Sequence, residues 1–390
     1  MKRYSLASTT WDEAEYAAIN KVVASGMFTM GAHVAEFERQ FAAQFGTKHC
    51  VMVNSGSSAN LLMVAALFYR KQSPLQRGDE IIMPAVSWST TYYPAYQYGL
   101  KIKFVDIDRD TLNYDLEQLA TAIGDHTRAV MVVNLLGNPN DFSRIREIIG
   151  GRDIVLLEDN CESMGATFEG KQAGTFGLMG SYSSFFSHHI STMEGGMIVT
   201  DDEELYHILL SLRAHGWTRN LPKSNRICKK SDDDFEESFR FILPGYNVRP
   251  LEMSGAIGLE QLKKIPNLVK VRRDNAAKFQ ALMAKFPHLR IQKESGLSSW
   301  FGFSLVVNPG APYTRKQVID RMREHGVEVR PIVAGNFVKN DVVRWFGPVE
   351  YGELKNADDI DKNGFFIGNH HYSLDDEFGI LAEALCSLGS

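Results

Sequence analysis

The chain has 390 residues, 44% hydrophobic and 23% charged, enough for a well-buried core divided between a large and a small domain. A formal net charge of −5 excludes the broad basic surface that nucleic acid or an anionic membrane would require. Its four cysteines, Cys50, Cys161, Cys228 and Cys386, are scattered without CxxC spacing, which argues against a zinc site, an iron–sulfur cluster or a disulfide framework.

The N-terminus reaches charged sequence by Asp12 without an apolar run long enough for a signal peptide or a span, so a soluble cytoplasmic protein is expected. Ala14, Tyr16, Ala17, Ile19, Val22 and Val23 then recur at three- and four-residue spacing, predicting a helix over 12–25 that ends near Gly26. A turn over 27–31 follows. Val34, Phe37, Phe41 and Phe45 form one stripe of a second helix, over 34–45, with Gly46 as its stop.

Residues 51–53 read as a short strand, and 61–69 as a helix. Between them lies Asn54-Ser-Gly56-Ser57-Ser58-Ala-Asn60. A strand, a small-residue turn and a helix N-terminus together offer backbone N–H groups and a dipole to an anion, and a phosphate suits them. The motif is neither a P-loop nor GxGxxG, and a plain structural cap is the ordinary alternative.

Apolar runs at 80–83, 103–106, 129–134 and 154–157, with helical segments at 116–123 and 142–149, predict a mostly parallel sheet covered on both faces. Ligands of such sheets gather at the strands' carboxyl ends. Glu158-Asp159-Asn-Cys-Glu162 stands just past one of those ends. A carboxylate there either holds a protonated ring nitrogen or caps a helix, and spacing leaves both open.

Further along, 196–200 reads as a strand, 201–212 as a capped helix and 223–237 as a charged surface loop. A long helix over 251–273 would bridge the two domains, expected at 1–250 and 251–390, with residues 1–35 able to pack against the smaller one. Strand 302–307 and helices near 315–324 and 376–388 complete a small α/β unit.

The stretch Ser181-Tyr-Ser183-Ser-Phe-Phe-Ser-His188-His189-Ile-Ser-Thr-Met-Glu194-Gly195-Gly196 has small and aromatic residues before a histidine pair and Glu-Gly-Gly after it. No lysine occurs between Lys171 and Lys223. A histidine moves protons near neutral pH; two adjoining loop histidines without such a role are the alternative.

Five stretches in order, 54–57, 84–88, 158–166, 183–196 and 245–249, resemble the DegT/DnrJ/EryC1/StrS sugar aminotransferase family. The resemblance implies a type I pyridoxal-phosphate fold of the aspartate aminotransferase kind and a homodimer. It also implies roles. Gly56, Ser57 and Ser183 would bind the cofactor phosphate, Asp159 the pyridine nitrogen and Trp88 a ring face, while Asn247 would reach the phosphate across the dimer interface. Glu162 stands where most relatives have Gln.

The family's lysine, which holds the cofactor covalently, is replaced here by His188, as in the branch of nucleotide-sugar 3-dehydratases. That implies non-covalent pyridoxal or pyridoxamine phosphate, with L-glutamate as amino donor and His188 as the proton-transfer residue. Only Cys228 lies where the cytidine-linked enzymes cluster cysteines, so the resemblance is to the guanosine-linked enzymes, with no iron–sulfur cluster and no reductase partner. The substrate expected is GDP-4-keto-6-deoxy-D-mannose. Arg249 or Arg330 matches a carboxylate or diphosphate by its fork; His215, Arg219 and Trp300 are sugar-nucleotide candidates by resemblance. An aminotransferase that leaves the amine on the sugar, or an inactive cofactor-binding protein, remain as alternatives.

Overall fold

The apolar runs expected as strands pair into one mixed sheet of eight, in the spatial order His49–Val53, Gly196–Thr200, Met179–Ser183, Val155–Asp159, Thr127–Val133, Glu80–Pro84, Lys101–Val105, Glu350–Tyr351. The computed structural model describes residues 3–347 and 349–389. Met1, Lys2, Pro348 and Ser390, which the N-terminal reading and the expected domain ranges include, lie outside the described residues. The sheet is mostly parallel, as expected; only Gly196–Thr200 runs against its two neighbours. The parallel strands therefore deliver Pro84, Val133, Asp159 and Ser183 to one edge.

Local chemistry sets the helix ends. Asp12 accepts from the Ala14 N–H and completes a capping box with Glu15, and Gly26 closes Glu13–Ser25 in the left-handed region at φ 68°. Gly46 closes Ala32–Phe45 in the same way, at φ 71°. Phe41 and Phe45 of that second helix pack on Tyr182 and stack on each other at 4.4 Å, with Phe37 against Phe41, each such pair adding about 1 kcal/mol beyond burial.

Several elements depart from the expectation, among them the start of the helix Asp234–Ser238 within the stretch 223–237 expected as a surface loop. The helix expected from 61 begins at Gly56, because the Ser55 hydroxyl caps it by accepting from the Ser58 N–H; the small-residue turn is its first turn. Residues between the strands at 80 and 101 form the helix Ser89–Gln97, obscured in the sequence by Pro94 within it. The strand Met179–Ser183 was hidden because its residues, Met-Gly-Ser-Tyr-Ser, lack an apolar run although all five are buried.

The long helix spans Glu252–Met283, ten residues beyond its expected end, and runs on through Pro266. Its C-terminal half carries Ala276, Phe279 and Met283 into a second core with Tyr4, Trp300, Phe303 and Leu381. There the strands Leu289–Ile291, Gly302–Val307 and Gly364–Gly368 form an antiparallel sheet. Among the described residues no helix is long and apolar enough to cross a membrane.

Candidate active site

A cavity of about 500 Å³ opens at the edge where the parallel strands end. Gly56, Ser57, Trp88, Asp159, Glu162, Ser183, His188 and Arg330, all singled out in the sequence, line it together. None of its lining residues is a lysine.

Asp159 ends its strand and is buried, and its orientation is fixed by groups far away in sequence. Asn60 Nδ2 and Thr91 Oγ1 both donate to Oδ2 at 2.7 Å, while the Cys161 N–H reaches Oδ1 at 3.2 Å. Ser181 Oγ donates in turn to Asn60 Oδ1 at 2.6 Å. The helix-cap alternative fails, because the structure assigns no helix between this strand and the next. Neither Asn60 nor Thr91 was given a role from sequence. The available signal was Asn60, a polar residue buried among the apolar side chains of the helix Gly56–Leu67.

Gly56 is required by close approach: a Cβ there would lie 2.8 Å from Ser183 Cβ and 2.9 Å from Cys161 Sγ. At Gly196 a Cβ would lie 2.2 Å from the Ser55 carbonyl oxygen, so the two loops of this wall meet backbone to backbone. Trp88 stands at the N-cap of Ser89–Gln97 with 58% of its surface open, a flat apolar face offered to the cavity.

Glu162 accepts the Leu136 N–H at 3.0 Å. Burial chiefly, and then the charge of Asp159, push its carboxyl up to about 7 against that hydrogen bond. A carboxyl half protonated at neutral pH is a donor as well as an acceptor, which is what a Gln in its place supplies.

The His188 ring is partly buried between Phe301, 5.1 Å between centroids, and Phe185, 5.9 Å, and its Nδ1 has no protein partner. Burial, and after it the charge of Arg272, lower its pKa to about 4. His189 is fully buried, with Nε2 3.2 Å from the Ser299 carbonyl oxygen, and is lowered by the same two causes. The pair is therefore divided in work: His189 is anchored on Ser299, and His188 lines the cavity.

These shifts give the protein a pH dependence. A histidine depressed in the folded state contributes stability that is present above its unfolded pKa of about 6.5 and is lost as pH falls toward the folded value. His188 and His370, both lowered to about 4, act this way together with His189. Glu162, raised to about 7, acts in the opposite sense and offsets roughly one of them. Urea unfolding of the cofactor-free protein should show a net loss of stability between pH 7 and pH 5; a midpoint that stays constant or rises over that interval would contradict these assignments.

The other predicted site residues lie elsewhere. His215, Arg219, Asn247 and Arg249 are absent from the cavity wall and gather around Trp217. The guanidinium carbons of Arg219 and Arg249 stand 5.5 and 5.7 Å from its ring centroids, the His215 ring lies 4.6 Å away, and Arg249 Nε donates to Asn247 Oδ1 at 3.0 Å. Trp300 is 3% exposed in the second core, with Nε1 donating to Glu294, and so is withdrawn from any ligand.

Comparison with known proteins adds to this geometry. The family model described as the DegT/DnrJ/EryC1/StrS aminotransferase family matches residues 9–383. The chain is 62% identical over 387 residues to the GDP-4-keto-6-deoxy-D-mannose 3-dehydratase of Escherichia coli O55:H7, covering 99% of this chain and 100% of that one. A solved structure of GDP-4-keto-6-deoxymannose-3-dehydratase with a trapped PLP-glutamate geminal diamine is similar at a TM-score of 0.96 and 61% identity, over 98% of this chain and all of that one. The H188N mutant of such an enzyme with bound GDP-perosamine is similar at a TM-score of 0.97 and 61% identity, with the same coverage.

Proposed function

We infer the function from one premise: the chain belongs to the DegT/DnrJ/EryC1/StrS aminotransferase family. Within it, this protein is a pyridoxal-phosphate-dependent 3-dehydratase that removes the C3 hydroxyl of GDP-4-keto-6-deoxy-D-mannose, with L-glutamate as amino donor. The products are GDP-4-keto-3,6-dideoxy-D-mannose, 2-oxoglutarate and ammonia. The observation that carries the reading is His188 in a cavity wall without lysine.

The residues present fit the cofactor. A carboxylate held by two donors on one oxygen leaves the other, which takes only the Cys161 N–H at 3.2 Å, able to accept from a protonated ring nitrogen as well, and Gly56, Ser57 and Ser183 together line the cavity where a phosphate would be held. When bound, pyridoxal phosphate supplies an electron-withdrawing ring and, charged with the amino group of glutamate, an amine for the sugar ketone. Asp159 keeps the ring nitrogen protonated. Trp88 covers one ring face, and Glu162 donates where a relative's Gln would. His188, on the cavity wall, accepts a proton on its imidazole and returns it to the departing 3-hydroxyl. A neutral histidine cannot trap the cofactor covalently, so nothing competes with the free amine.

Arg330, the cationic residue on the cavity wall, is assigned to the diphosphate or the glutamate carboxylate. The patch of His215, Arg219, Asn247 and Arg249 supports a homodimer in which each subunit lends these residues to its neighbour's site, since within one chain they are absent from the cavity wall.

The test is release of ammonia and 2-oxoglutarate by purified protein with pyridoxal phosphate, L-glutamate and GDP-4-keto-6-deoxymannose. Both products in step, and only with the sugar present, are expected. 2-Oxoglutarate without ammonia, with an amine gained by the sugar, would make the protein an aminotransferase.

A further inference from the structure

Arg272 sits in the helix Glu252–Met283, 3% exposed. Its Nη1 donates to the carbonyl oxygens of Asn369 at 2.7 Å, Phe301 at 3.1 Å and Trp300 at 3.5 Å, and its Nε has no partner. Among the described residues no carboxylate is placed against it, and burial alone lowers it to about 10. A buried cation without a counter-charge is costly, so its retention calls for a use.

Two of those carbonyls, of Trp300 and Phe301, belong to a strained turn. Trp300 has φ 47°, and Asn369 Nδ2 bonds both the Trp300 carbonyl, at 2.9 Å, and that of Arg272 itself, at 3.1 Å. The same turn touches both histidines: Ser299 through its carbonyl to His189, and Phe301 through its ring to both His188 and His189.

We propose that Arg272 is a positioning residue for His188: it locks residues 299–301, which seat the histidine pair at the cavity wall, and its unpaired charge behind them disfavours a second cation there. The proposal rests on the assignment of proton transfer to His188. The other charged groups near the histidine pair are Asp159, Glu162 and Arg330 across the cavity, Glu194 on the same loop, and Arg273, which acts on the buried neighbour His189. Arg272 is the charge that moves His188, after burial, and it also lowers His189, His370 and His371.

The experiment is an NMR titration of isotope-labelled histidine in the cofactor-free protein, comparing the parent with Arg272→Gln and Arg272→Lys, alongside the pH profile of kcat/KM. In Arg272→Gln the His188 midpoint should rise by roughly one pH unit, the acid limb of kcat/KM should follow it, and kcat should fall about tenfold. Arg272→Lys, which keeps the charge, should hold the parent midpoint. A folded Arg272→Gln protein whose His188 titrates as in the parent overturns the proposal. If that variant does not fold, Arg272→Lys decides, and a His188 midpoint returning to the ordinary imidazole value counts against it. A parent that performs no dehydration refutes the reaction assigned to His188, which the unloaded titration does not read, so the two failures are told apart.

Discussion

Replacing His188 with Asn is expected to abolish dehydration while leaving the fold and cofactor binding in place. The amide is close in size to imidazole but neither accepts nor returns a proton near neutral pH, and general acid–base transfer by a positioned side chain is worth about 10²–10⁴ in rate. The His188 side chain rests on ring contacts with Phe301 and Phe185 and its Nδ1 bonds nothing, so its loss leaves no buried donor or acceptor unpaired elsewhere. Turnover should therefore fall by about three orders of magnitude, with the affinity for pyridoxal phosphate, read by absorbance titration, within a few-fold of the parent. Turnover within tenfold of the parent would remove His188 from the reaction. Loss of the cofactor instead would make its role structural.

Asp159→Asn is expected to be nearly as severe, for a different reason. Asn60 Nδ2 and Thr91 Oγ1 both aim donors at one carboxylate oxygen, and the Cys161 N–H approaches the other. An amide placed there must turn its NH₂ either toward those donors or toward the protonated ring nitrogen, and both orientations oppose a donor with a donor. Removing one preorganised electrostatic partner of a reacting group costs about 10²–10³ in kcat. Loss of a charge-assisted hydrogen bond of about 1.5–3 kcal/mol should weaken cofactor binding by roughly 10–100-fold. Measuring kcat at saturating cofactor separates the two effects; a variant restored to within threefold of the parent by excess pyridoxal phosphate would show that Asp159 binds the ring without activating it.

These expectations differ in how far each was legible beforehand. Helix ends at Asp12, Gly26 and Gly46, the apolar strands, and the mostly parallel sheet follow from caps and periodicity that act within a few residues. So does the histidine standing in a stretch that lacks lysine, since it is a matter of residue type at one position. The strand Met179–Ser183 and the helix Ser89–Gln97 escaped because burial on both sides, or a proline within the turn, outweighs the local signal.

What the sequence by itself determined was the set of reactive groups and the framework that carries them. The tertiary structure alone decided their state. Asp159 is oriented by Asn60 and Thr91, 99 and 68 residues away, and His188 is backed by Phe301 and by the uncompensated charge of Arg272. Orientation, burial and electrostatic environment depend on distances between segments remote along the chain, which only packing fixes; the chemistry of a side chain is written in its identity, and its protonation is not.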